Sequence, residues 1–492
     1  MRAKKNLIAS YIFIIVNIFI NLFVVRLTVN HYGEQIYAFV VLAFSFITYV
    51  ETLNLGTFLS NRTQIPMRGV HASVYTVASV KFLSKISISF LVFFSIFYFF
   101  AGDYFISLIT TESDVEILKT GKTLISIAVV YGLLKIPLSV VLSAFAGHDL
   151  VDIEKKYNGV QQLIKITALG VAVYFGHSVE TYFISFTFLG IILLFIANFH
   201  YFYRFISSHS AMYMKYSKKI SGFYITKNSF KFYVFTMASV VVWSTDNLLV
   251  SIFFNPKMVS DYHINFSIYN AGFLFVTAIA GALIANYGNL IRDNKLDTLN
   301  FRVNLSVYTT FLISLAIGFG GILFTEDIIR IWVGDGHFVS DDLLIAFGIF
   351  GLTLGFSSVL NTILALFADS KTITLMTISE AVLNIVLSVI LLKVIGVSGI
   401  AYATGIAATI TIVIPGVIIL SRHFKNEVKI DLVPLIMQIM LCALAVFTYL
   451  QSTNHSIFAR IITFLVYFGA SIFVTALMRR DYVKSYLKMI KK

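Results

Sequence analysis

Residues 7–25 read LIASYIFIIVNIFINLFVV and follow directly on the basic start MRAKKN. The run outlasts the roughly 7–15 apolar residues of a secretory signal, and no small-residue cleavage site follows it. It is therefore expected to remain as a first membrane span, which needs about 20 mostly apolar residues. By the same measure the chain holds about 14 such stretches in succession.

Composition agrees. The 492 residues are 58% hydrophobic and 12% charged, against about 45–50% and about 25% in soluble domains. A soluble fold of this length would lack a charged surface, so lipid is the expected solvent. In hydrocarbon the backbone must satisfy its own hydrogen bonds, which leaves helices or closed barrels. Runs of this length select helices, and the expected class is all-α, polytopic.

The net charge of +13 would suggest nucleic acid in a soluble chain. Here the basic residues fall between apolar runs, so the reading is topological and no nucleic-acid partner is expected. With Arg2, Lys4 and Lys5 inside, roughly two dozen Lys and Arg lie on the cytoplasmic side and about five opposite, a strong positive-inside bias. Both termini are then expected to be cytoplasmic. A single cysteine, Cys442, excludes an internal disulfide or a cysteine metal site. No other cluster has metal-ligand spacing, so neither metal nor cofactor is expected. Thr120-Gly121-Lys122-Thr123 ends like a phosphate-binding loop, but the earlier glycine position holds Glu116.

No connection is long enough for a folded domain. The longest, 204–231, is basic, and suggests an N-terminal lobe of six spans (1–203), a cytoplasmic linker (204–231), a second six-span lobe (232–421) and two extra spans with a basic tail (422–492). SAFAGHD (143–149) and LALFADSK (364–371) end the fourth span of each lobe, a faint sign of the internal repeats found in transporters.

VNHYGEQIYAFVVLAFSFITYVETLNLGTFLSNR (29–62) resembles the first helical hairpin of polysaccharide-unit flippases. These are the Wzx-type members of the superfamily that includes MATE exporters and the lipid II flippase. The likeness rests on Gly33 and Tyr37 at the outer turn, then Leu55-Gly56 and Arg62. Many relatives have an acidic residue where this chain has Asn54. STDNLLVSIFFNPKMVSDY (244–262), ILFTEDIIRIWVGDGHF (322–338) and SEAVLNIVLSVILLKVIGVSGIAYAT (379–404) are similar to later family segments, in the same order. The resemblance implies a secondary transporter rather than an enzyme. Its cargo would be a polyprenyl pyrophosphate carrying a short oligosaccharide, turned from inner to outer leaflet by alternating access. A polysaccharide polymerase and chain-length proteins would be partners, with membrane lipids around the chain.

Such cargo needs cations for phosphate and amide or aromatic groups for sugar, and ionisable residues inside spans are costly enough to be candidates by default. Lys135, deep in the fourth span, leads the cations. Tyr131, Ser139 and Ser143 repeat beside it at steps of four, and Pro137 lies close by. It either lines a cavity or pairs with a carboxylate such as Glu51 or Asp246. Lys81 and Lys85 share one face of the third span, where they meet either pyrophosphate or lipid headgroups. Arg62 closes the second span, more simply as a positive-inside anchor. On the first span Asn6, Ser10, Asn17, Asn21 and Thr28 fall within roughly 60°, with Arg26 opposite. Either that stripe or Arg26 faces a cavity. Asp246, Glu51 and Glu380 are the candidates for a coupling ion, each with a salt bridge or interhelical hydrogen bond as the alternative role. Glu380 heads a stripe with Thr377, Asn384 and Ser388.

Two other functions are weighed. A MATE-like exporter of cationic drugs would need an acidic cavity, and the lysines of the first lobe speak against it. A membrane glycosyltransferase or polymerase would need a larger outer loop and a catalytic constellation.

Overall fold

The computed structural model describes residues 2–68, 72–110, 114–207, 216–217, 220–282, 284–367, 370–425, 427–451 and 456–478. Parts of the basic linker (208–215 and 218–219) and the basic tail (479–492) lie outside the described residues.

The described chain is helical, with no strand among the described residues. Eleven of its helices are long and apolar enough to cross a membrane, against the about 14 stretches expected from sequence; 157–176, 262–291 and 433–451 do not reach that measure. Those less apolar than the rest have reasons in sequence. Helix α6 (Val151–Tyr174) opens on Asp152 and Glu154, and α9 (Pro256–Ala282) carries Lys257 and Asp261 in its first turns. The apolar part of α16 (Val433–Gln451) ends at Tyr449. The chain divides into two compact units, Met1–His263 and Ile264–Lys492.

In unit 1, α5 (Val115–Gly147) is the central helix. It packs on α2 (Glu34–Glu51), α3 (Thr57–Arg68), α4 (Ala72–Ile109), α6 and α7 (Val179–Phe205). Small residues allow this. A Cβ on Gly121 would fall 2.4 Å from the Phe39 ring and one on Gly132 would fall 3.0 Å from Val50 Cγ1, the close approach that small residues permit between membrane helices. The glycine of the loop-like TGKT string is thus a helix contact. Helix α1 (Arg2–Tyr32) lies on α6, and α8 (Gly222–Phe253) on α2, α3 and α4. Although 232–253 belongs to the second lobe by count of spans, this contact groups it with unit 1. Ile65, Phe145, Leu150, Leu194 and Tyr201 fill the core near the α5–α6 turn.

The second span is broken. A short 3-10 turn (Thr52–Asn54) separates α2 from α3, and Leu55 and Gly56 both take positive φ, 52° and 73°. Carbonyls freed by the break are recaptured locally. Thr52 Oγ1 donates to Tyr49 O at 2.7 Å and Asn54 Nδ2 to Glu51 O at 2.5 Å. Non-helical backbone at membrane depth survives only where protein or a wet cavity satisfies it.

Unit 2 is built on α11 (Leu296–Trp332) packed along α12 (Asp341–Phe367). Helix α10 (Ile284–Arg292) leads into it. Helix α13 (Ser370–Ile395) pairs with α14 (Ser398–Ala408), which runs through a π-helical turn (Thr409–Val413) into α15 (Ile414–His423). The last two helices, α16 and α17 (Ile457–Met478), pack on α11, where Phe319 and Leu323 meet Phe464 and Tyr467. Arg460 of α17 pairs with Asp327 at 2.7 Å and donates to Leu323 O at 2.9 Å, its side chain only 11% exposed. Arg460→Ala should strip Asp327 of this partner and loosen α17. The expected loss is about 2 kcal/mol, below the buried-pair range because Asp327 is partly open to solvent. An unchanged thermal unfolding midpoint in detergent would show that the apolar contacts alone hold these helices.

Candidate functional site

The broken second span opens a cavity of about 390 Å³ inside unit 1. Its walls come from α2 (Thr48, Glu51), the break (Thr52, Asn54), α3 (Phe58, Leu59, Arg62), α5 (Lys135, Ser139, Leu142, Ser143), α6 (Glu154, Asn158) and α8 (Thr236, Val240). The α5 residues fall at steps of three and four, hence on one helical face, and α5 stays a single helix through Pro137.

Lys135 Nζ lies 2.6 Å from Glu51 Oε1, with the side chains 21% and 29% exposed. The pair foreseen as an alternative to a cavity role is therefore present, but it stands on a cavity wall. A second pair, Arg62 with Glu154, closes another side, with Arg62 44% exposed and Glu154 only 5%. The two cations and two carboxylates of the wall cancel. Net charge alone therefore does not mark this cavity for anions or cations.

The rest of the wall is rich in hydroxyls and amides. Asn61 Nδ2 donates to Ser143 Oγ at 3.3 Å, and Ser143 Oγ donates to Val140 O. Asn54 Oδ1 and Ser139 Oγ are buried with no hydrogen-bond partner among the described residues. Tyr131 is turned away from the wall. Its hydroxyl accepts from Gln161 Nε2 at 2.6 Å, and its ring lies 5.9 Å from Lys135 Nζ.

Of the residues expected from sequence, Lys135, Glu51 and Arg62 come together here. Lys81 donates to Ser217 Oγ at 2.9 Å and Lys85 is exposed; neither lines the cavity. Arg26 is exposed on α1, while Asn21, on the polar stripe, meets Lys165 Nζ at 3.1 Å. The stripe thus packs on a neighbour. Asp246 accepts from Tyr262 Oη at 3.0 Å, and its Oδ1 is buried without a partner among the described residues. Glu380 is half-buried in unit 2 with no ion-pair partner among the described residues. On its stripe, Asn384 donates to Thr404 Oγ1 of α14 at 2.8 Å and Ser388 is buried.

Sequence reasoning passed over Glu154, Asn158 and Lys165. Glu154 was hidden inside a run of lysines read only for topology. Lys165 sits mid-span, and the default that nominated Lys135 applies to it equally.

Residues 233–390, from α8 into α13, match the MatE family model. No curated protein matches the sequence. Among solved structures, lipid II flippase MurJ in an inward closed conformation is similar over 97% of this chain and 99% of its own, with 18% identity and a TM-score of 0.66. An inward-facing multidrug resistance MATE family transporter of the MOP superfamily is similar over 84% of this chain and 95% of its own, at 13% identity and TM-score 0.64. A MOP superfamily transporter from Pyrococcus furiosus, described as having a binding pocket of reverse polarity, is similar over 86% and 96%, at 11% identity and TM-score 0.53. The chain is therefore a multi-pass membrane protein with the fold of the MOP superfamily transporters.

Proposed function

We propose that this protein is a flippase for lipid-linked oligosaccharides. It would carry a polyprenyl pyrophosphate bearing a short sugar chain from the inner to the outer leaflet of a bacterial cytoplasmic membrane by alternating access, with both termini cytoplasmic. The observation that supports it most is the hydroxyl- and amide-lined cavity of unit 1, with Lys135 on its wall about 18 Å along α5 from the inner end of that helix. A sugar offers many hydroxyls to such a wall, and a pyrophosphate offers charge to its cations. The two last helices add weight. The likeness to the lipid II flippase runs over 97% of the chain, that to the MATE transporter over 84%.

A second reading, export of cationic drugs, has the MatE match over 233–390 in its favour. The two are separated by reconstitution. Vesicles holding the purified protein should move a fluorescent polyprenyl-pyrophosphate sugar between leaflets, and should not accumulate a cationic dye. Dye accumulation without sugar-lipid movement would reverse the assignment. In the same vesicles Asp246→Asn should abolish the response of transport to an imposed proton or sodium gradient. An unaltered response would place ion coupling elsewhere.

A further inference from the structure

The cations inside unit 1 are not equivalent. Lys135 has Glu51 and Arg62 has Glu154, so each charge is compensated in place. Lys165 of α6 is held differently. Among the described residues its Nζ meets an amide oxygen, Asn21 Oδ1 at 3.1 Å, and the face of Phe44, 4.2 Å from the ring centroid. Asn21 in turn donates to Asn17 Oδ1 at 3.2 Å. No carboxylate pairs with Lys165 among the described residues, while its side chain stays partly open.

An ammonium left uncompensated among apolar helices is expensive, and such groups mark pathways for ions or charged substrates. An aromatic face and one amide offset part of that cost and leave the charge available. Its place is telling too. Asn158, on the cavity wall, Gln161, bonded to Tyr131, and Lys165 follow at steps of three and four on α6. They form one polar stripe. Lys165 stands on it about 10 Å beyond Asn158 and about 21 Å from the start of α6.

We infer that Lys165 is a second anion station of unit 1, where the stripe on α6 hands the pyrophosphate on from the cavity beside the Lys135–Glu51 pair. The inference rests on the anionic-cargo reading above and names a residue for it. On the proposed topology the direction from Asn158 to Lys165 is outward.

The test uses the full chain in lipid nanodiscs, with farnesyl pyrophosphate as the anionic probe and farnesol as its neutral control. Lys165→Gln should weaken pyrophosphate binding roughly 10- to 100-fold, the range of one charge-assisted hydrogen bond, and leave farnesol binding as it was. Lys165→Arg should keep most of the affinity. In the absence of probe, Lys165→Gln should hold or raise the thermal midpoint, because it removes an uncompensated charge. Lys135→Gln should lower it, because it strands Glu51. A Lys165→Gln protein that binds pyrophosphate as wild type, or is destabilised like Lys135→Gln, overturns the inference. If in that case Lys135→Ala still weakens pyrophosphate binding, the anionic-cargo reading stands without Lys165. A wild-type protein with no preference for farnesyl pyrophosphate over farnesol overturns both.

Discussion

Gly56→Ala is expected to destabilise the protein by about 3 kcal/mol or more, the largest stability effect of any single methyl in unit 1. Two physical terms add at this position. The backbone has φ +73°, a left-handed conformation that costs an L-residue about 1–2 kcal/mol. The added Cβ would also lie 2.2 Å from Tyr233 N, 2.5 Å from Ser229 O and 2.7 Å from Phe232 C. All three are backbone atoms of α8, so no side chain can swing aside, and overpacking of this kind costs about 1–3 kcal/mol or more. Gly33 supplies a comparison. Its φ is +88° and its ψ 163°, a region nearly confined to glycine, but nothing lies within 4 Å of the Cβ position, so Gly33→Ala should show a conformational cost alone, about 1–3 kcal/mol. Thermal unfolding of both variants in detergent separates the terms. Equal midpoints would mean that α8 does not sit against the break. The consequence reaches function, because the break carries Asn54 and aims Arg62 at the cavity. A variant that restores a continuous second span should lose that wall even where it remains in the membrane.

How much of this was legible in the residues depends on the range of the interaction. The helices were, because a span is a local property: twenty apolar residues declare it without reference to the rest of the chain. The two extra helices at the end were legible for the same reason. The break at 52–56 was visible only as a Leu-Gly pair, since positive φ at Leu55 has no local signature and the close approach of α8 to Gly56 is a contact distant in sequence. Polar stripes could be drawn on a helical wheel, but the wheel does not say which neighbour they face. For α1 it left two options; in the structure Asn21 of the stripe meets Lys165 and Arg26 is exposed. Pairings between helices were the least legible. The sequence offers Lys135 two carboxylate partners, Glu51 and Asp246, whereas it does not point Glu154 to Arg62, because a carboxylate among Asp152, Lys155 and Lys156 reads as part of a solvated run. Lys165 went unnoticed although it obeys the rule applied to Lys135. It lies in the most highly charged of the long helices, where one more lysine attracts no attention.

Lys135→Ala should give the largest loss of transport, and the sign of its companions identifies the cargo. The wall is neutral as it stands, with Lys135 and Arg62 against Glu51 and Glu154. Removing Lys135 leaves the Glu51 carboxylate facing the cavity. A phosphate about 6 Å from it, at an effective dielectric near 20, meets about 3 kcal/mol of repulsion, roughly a hundredfold in binding. The lost pair itself should lower stability by only about 1–2 kcal/mol, since both groups are partly open to water. Glu51→Gln acts in the opposite sense, leaves the wall with one net positive charge and should tighten an anionic cargo. The double variant Lys135→Gln, Glu51→Gln restores neutrality and decides between two roles for the lysine. If Lys135 acts only by balancing Glu51, the double variant transports like wild type. If its ammonium touches the pyrophosphate, transport stays low while the protein remains folded. For a cationic cargo the order of the single variants inverts, with Lys135→Ala binding more tightly and Glu51→Gln less. Binding of farnesyl pyrophosphate and of a cationic dye to the three proteins, measured at low ionic strength where these charges are least screened, reads out the order directly. Wild-type affinity for both probes in Lys135→Ala would mean that cargo does not enter this cavity.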